Sequence, residues 1–254
     1  MTLSVERLGA GEPRLVLAHG FTQTARSWLP LARPLAEHHE VLLVDLPGHG
    51  GSSEVAASVE CGARMLGDVG GRGVYVGYSM GARHVLRLAC DRPELVRAMV
   101  LVGGTAGIVD EQERTARRRS DDELAAGIER DGVAAFVDRW LAQPMFAGLP
   151  DDPADRTERL RNTTAGLAAS LRLAGTGAQE PLWDRLPNCT VPALILVGAR
   201  DEKFTALGHR LVAGLAGPTR FTEIDGAGHA AHLERPEAVL GTVRTWLATV
   251  GRPR

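Results

Sequence analysis

Lysine is almost missing from this chain. One residue, Lys203, stands against 28 arginines. The basic side chains are offset by 31 acidic ones, for a net charge of −2. A nucleic-acid-binding domain usually carries a basic excess, so no nucleic-acid partner is expected. Cysteine is scarce as well. Cys61, Cys90 and Cys189 are odd in number and form no CxxC pair, which excludes a zinc pattern and a disulfide framework. A reducing cytoplasm is the expected setting, with no metal. Long apolar runs are absent too. The longest, such as Ala98–Val102 and Ala193–Val197, have strand length, far below the roughly 18 residues of a membrane span. The first residues hold no apolar stretch of the kind a secretory signal needs. No phosphate-cradling glycine loop or ligand cluster appears, so no cofactor is expected.

What is present suits one large domain with an insertion: 254 residues, 44% of them apolar. Apolar runs at Leu15–Ala18, Val41–Val44, Val74–Gly77, Ala98–Val102 and Ala193–Val197, and a weaker one at Phe221–Ile224, are continuous rather than alternating. That pattern predicts strands buried on both faces, as in a parallel sheet covered by helices. Helices are expected between them at Ser27–Ala36, Met80–Cys90 and Arg235–Val250, so the fold class is α/β. From Thr105 to Arg185 the strand-like runs stop. Helical stretches follow at Glu111–Arg119, Ser120–Arg130, Gly132–Leu141 and Arg156–Leu173. Residues 1–104 and 186–254 thus read as the core, and 105–185 as a helical cap.

Gly77-Tyr78-Ser79-Met80-Gly81 lies between an expected strand and an expected helix. This is the G-x-S-x-G nucleophile elbow in its proper context, with Ser79 as the reactive hydroxyl. Without that context a five-residue match arises readily by chance. His19-Gly20-Phe21 follows the first buried strand. The backbone N–H groups of Phe21 and Met80 are therefore the candidate oxyanion donors. A reactive serine needs a base, and the base an orienting acid, in the chain order Ser, Asp or Glu, His. Asp201 and His229 fill these places, each just past the C-terminal end of an expected strand. His232 is the alternative base and Asp225 the alternative acid. Asp45, in Asp45-Leu46-Pro47-Gly48-His49-Gly50, reads as a loop tie rather than a catalytic group.

Taken in order, these motifs resemble those of α/β-hydrolase-fold proteins along the whole chain. The resemblance implies a mostly parallel central sheet, helices on both faces and a cap insertion. A narrower resemblance is to the 2-succinyl-6-hydroxy-2,4-cyclohexadiene-1-carboxylate synthases of menaquinone biosynthesis. It rests on Gly77 to Arg83, on Asp201-Glu202-Lys203-Phe204, and on cap segments around Gly103–Ile108, Glu113–Arg117, Trp140–Phe146 and Leu160-Arg161-Asn162. Ala82 departs from the pattern, where a second glycine is usual.

That resemblance implies a lyase that eliminates pyruvate from a small polycarboxylate substrate, with Ser79 acting as a base. Arg83, Arg117 and Arg161 would then clamp carboxylates, and Tyr78 and Trp140 would line the pocket. Arg83 stands four residues after Ser79, so it shares a helix face with it. The plain reading of each arginine is a solvated surface charge, and Trp140 beside Leu141 and Phe146 reads equally as cap core. Eleven arginines against fifteen acidic residues in 105–185 give no bulk hint of an anion site. The same triad also serves ester or C–C bond hydrolysis through an acyl-serine, and the scaffold can serve as a ligand-binding receptor.

Overall fold

The computed structural model describes residues 2–250. The strands β1 (Val5–Leu8), β2 (Leu15–Ala18), β3 (Val41–Val44), β4 (Gly73–Tyr78), β5 (Val96–Val102), β6 (Ala193–Gly198) and β7 (Thr219–Ile224) form a single seven-stranded sheet, in which the continuous apolar runs form β2 to β6. Their order across the sheet is β1-β3-β2-β4-β5-β6-β7. β1 pairs antiparallel with β3, and every other pairing is parallel. Alternate residues serve the two faces, and both are covered. On β2, Val16 and Ala18 join one apolar cluster while Leu15 and Leu17 join the other. β1 carries no apolar run to mark it in the sequence, because it is a half-exposed edge strand, Val5-Glu6-Arg7-Leu8.

Nine helices flank the described strands: α1 (Leu29–Leu35), α2 (Val59–Gly70), α3 (Met80–Asp91), α4 (Glu111–Leu141), α5 (Pro153–Arg159), α6 (Thr164–Ala174), α7 (Glu202–Gly214), α8 (Ala231–Glu234) and α9 (Pro236–Val250). α4 to α6 lie between β5 and β6, the stretch where strand signals vanish. Ile128, Phe136 and Leu167 belong to a small apolar cluster there, against which Phe21 of the core also packs. The expected helix boundaries shift here. The three stretches from Glu111 to Leu141 join into α4, broken only at Gly132, whose φ of 80° interrupts the helix. The expected single helix Arg156–Leu173 is instead two, because Thr163 caps a new start by accepting from the Gly166 N–H. No described helix is long and apolar enough to cross a membrane.

The strand order places the site. From β2 the chain first moves to β3 on one side, then returns to β4 on the other, so the loops leaving β2 and β4 part at their C-terminal ends. Such a switch point is where open α/β sheets bind ligands. Ala18 and Gly77 are paired residues at those ends, which brings the loop of Phe21 beside the elbow of Ser79.

Candidate active site

The elbow is held by close packing. Ser79 has φ 49° and ψ −103°, a conformation that a residue bearing a side chain rarely adopts. It persists because its neighbours leave no slack. A Cβ on Gly81 would stand 2.1 Å from the carbonyl oxygen of Ala18, and one on Gly77 would stand 2.5 Å from the Gly81 backbone. α3 begins immediately after Ser79. The Phe21 and Met80 N–H groups have no hydrogen-bond acceptor among the described residues. Both residues line the cavity that Ser79 faces.

Ser79, His229 and Asp201 meet although they are far apart in sequence. His229 Nε2 lies 3.1 Å from Ser79 Oγ, and His229 Nδ1 lies 2.7 Å from Asp201 Oδ2. Asp201 has a second task. Its Oδ1 caps α7 by accepting from the Phe204 N–H, so the helix fixes the carboxylate that faces the histidine. The Phe204 ring then packs on His229, with centroids 4.2 Å apart. Glu234 brackets the histidine loop, its carboxylate accepting from the N–H groups of Gly228 and Ala230 on either side of His229. Nothing in the sequence marked Glu234, because its partners are backbone groups on a turn that only the fold creates. His232 is directed elsewhere: its ring packs between Tyr78 and Trp28, and burial holds its pKa well below the ordinary value. Asp225 is exposed at the end of β7.

The cavity measures about 340 Å³, room for a small polar metabolite. Ser79 and His229 form part of its wall, as do Tyr78, Trp140 and cationic groups supplied by core and cap. Arg83 is buried, and its guanidinium donates to the Ala174 carbonyl at 2.7 Å and to Gln179 Oε1 at 3.1 Å. Burial, and then the neighbouring charge of Arg117, lowers the Arg83 pKa to about 10. The buried carboxylate of Asp121, which pairs with Arg117, partly offsets that repulsion. Arg117 lines the same cavity and pairs with Asp121 at 2.8 Å. Its neighbours turn away, Arg118 toward the Gly177 carbonyl and Arg119 into solvent. Lys203 also lines the cavity and has no acidic partner among the described residues. Trp140 lines the cavity, and its indole N–H is buried without a hydrogen-bond partner.

Arg161 departs from the expectation. Its side chain is half exposed, bonds to Glu158 one turn earlier and is not part of the cavity wall. The buried arginine of this segment is Arg159, the last residue of α5, only 2% exposed. A run with arginines at 156, 159 and 161 carries no sequence signal for which one faces in. Asp45 ties its loop, accepting from the Ala25 and Gly51 N–H groups.

Residues 15–242 match the Alpha/beta hydrolase family. The 2-succinyl-6-hydroxy-2,4-cyclohexadiene-1-carboxylate synthase of Klebsiella pneumoniae (strain 342) is 34% identical over 98% of this chain and 100% of its own length. The structure of MenH from S. aureus superposes with a TM-score of 0.91 at 27% identity, covering 99% of this chain and 100% of that one. A thermophilic esterase from Thermogutta terrifontis, solved with malate bound, gives a TM-score of 0.82 at 25% identity over 98% and 93%. The chain is therefore a member of the Alpha/beta hydrolase family, and within it of the group of 2-succinyl-6-hydroxy-2,4-cyclohexadiene-1-carboxylate synthases.

Proposed function

We propose that the chain is a carbon–oxygen lyase. It eliminates pyruvate from 2-succinyl-5-enolpyruvyl-6-hydroxy-3-cyclohexene-1-carboxylate, giving 2-succinyl-6-hydroxy-2,4-cyclohexadiene-1-carboxylate for menaquinone biosynthesis. The observation that carries this reading is one cavity holding both a hydrogen-bonded Ser79–His229–Asp201 array and three cations, Arg83, Arg117 and Lys203. The substrate has three carboxylates. Arginine's planar fork suits two of them, and the lysine ammonium a third.

In the reaction, Ser79 Oγ takes a proton from a ring carbon as its own proton passes to His229 Nε2, and Asp201 stabilises the imidazolium. The C–H electron pair delocalises toward the succinyl carbonyl, whose oxygen gains charge against the Phe21 and Met80 N–H groups. As the electrons return, the ring double bond shifts and the C–O bond to the enolpyruvyl group breaks. The released enolpyruvate takes up a proton and becomes pyruvate. The step is redox neutral and needs no cofactor. Three unpaired thiols suit a reducing cytoplasm.

The direct test supplies the enolpyruvyl substrate to the purified chain. Pyruvate and the cyclohexadiene should appear one for one, and the mass of the Ser79 peptide should stay unchanged during turnover. An acyl adduct on Ser79 with no pyruvate would instead support the hydrolase reading, which the malate-bound esterase neighbour keeps in view. Tight binding without turnover of either substrate would support a receptor.

A further inference from the structure

The loop that carries Phe21 is gripped from the cap. Thr22, the next residue, has φ +66°, a backbone region that threonine seldom enters. Two side chains of the cap segment hold it there. The buried Arg159 guanidinium donates to Thr22 Oγ1 at 2.5 Å, and Asn162 Nδ2 donates to the Thr22 carbonyl at 2.7 Å. Asn162 Oδ1 in turn accepts from the Gly50 N–H at 2.9 Å, so its amide bridges the loops that follow β2 and β3. The charge of Arg159 is balanced within α5 by Asp155 at 2.6 Å. A buried ion pair is weak evidence for stability, since well-packed apolar residues often serve as well. Its value here lies in direction: the planar guanidinium aims one donor at a strained threonine beside a free backbone N–H.

We propose that Arg159 and Asn162 are positioning residues, which set the Phe21 N–H in the oxyanion site by fixing Thr22, so that seating α5 on the core and completing that site are one event. The proposal rests on Phe21 as an oxyanion donor, as in the function given above. Neither residue reaches the cavity, so neither acts on substrate directly.

The test compares Thr22→Ala, Thr22→Ser and the paired Arg159→Met/Asp155→Asn change, which leaves no orphan charge. Two readouts are taken well below the melting temperature: kcat and KM for pyruvate release, and the rate at which a fluorophosphonate labels Ser79. The labelling depends on the oxyanion site but not on which substrate is natural. Thr22→Ala and the paired change should lower kcat and labelling by at least about tenfold, with KM within about twofold. Thr22→Ser, which keeps the acceptor, should stay near wild type. Lowered melting temperatures with unchanged kcat and labelling would overturn the proposal, reducing the grip to a structural strap. A raised KM at unchanged kcat would also overturn it, making Arg159 a substrate contact. If the paired variant does not fold, the two Thr22 variants decide alone. Wild-type labelling without pyruvate release would refute the lyase reading while leaving the variant comparison intact, and a wild-type chain that shows neither would overturn both.

Discussion

Ser79 combines a strained backbone with a hydroxyl 3.1 Å from a histidine, and strain of that kind is kept where chemistry uses it. Ser79→Ala should lower kcat for pyruvate release by at least about 10²-fold and leave the melting temperature unchanged or raised. The arginines separate by position. Arg83→Ala removes a buried cavity cation, and a loss of about 2 kcal/mol, roughly thirtyfold in kcat/KM, is expected. Arg161→Ala removes a surface partner of Glu158 and should change kcat/KM by less than about twofold. Steady-state kinetics of the two variants side by side checks both, and equal losses would show that the cavity wall is assigned wrongly. Lys203→Met should raise KM for the tricarboxylate without lowering kcat, as expected of a binding cation that does not touch the reacting atoms.

At the scale of elements, the elbow depends on β2, β4 and α3 meeting without side chains between them. Gly81→Ala would push a methyl group against the Ala18 carbonyl, which cannot yield without moving the strand. A destabilisation of about 3 kcal/mol is expected, or roughly 6–12 °C in Tm by calorimetry. An unchanged Tm would mean that the strand and helix are less tightly joined than their geometry shows. These elements were legible in the sequence because each announces itself locally. Continuous apolar runs marked the strands, and glycines two residues either side of Ser79 marked the turn. α2 and α7 carry signals of the same local kind, a side-chain cap at Ser58 or Asp201 and an amphipathic face, whereas β1, a polar edge strand, carries none. The cap was legible as helical but not in its detail. Whether Arg159 or Arg161 turns inward depends on how α5 ends and α6 begins, and that is decided by Thr163 and by contacts with Thr22, 137 residues away from Arg159. Glu234 was invisible for the same reason, since its partners are backbone N–H groups.

Across the whole molecule, four buried histidines outside the triad set the response to acid. Burial lowers His19 to about 4 and His49 and His84 to about 3, and carries His232 well below the ordinary value of 6.5. Each is neutral in the folded chain and protonates on unfolding once the pH drops below about 6.5. The unfolded state then binds more protons, so stability falls with falling pH between about 6.5 and about 4. Each such histidine contributes up to about 1.4 kcal/mol per pH unit within that window. Urea midpoints should therefore be flat from pH 8 to 7 and drop steeply from pH 6 to 5, and a flat midpoint down to pH 5 would contradict the burial of these rings.

The near-neutral net charge conceals a local arrangement. Two of the 28 arginines and the single lysine converge on the cavity that holds the serine. That convergence separates a polyanion lyase from an ester hydrolase built on the same triad, and it can be measured in one experiment. The purified chain is given the enolpyruvyl tricarboxylate and, separately, a neutral p-nitrophenyl ester, and kcat/KM is determined for each with wild type and Ser79→Ala. Ser79-dependent release of pyruvate is expected, with kcat/KM at least about 10²-fold above that for the ester. Rapid Ser79-dependent cleavage of the ester with no pyruvate released from the tricarboxylate would contradict it.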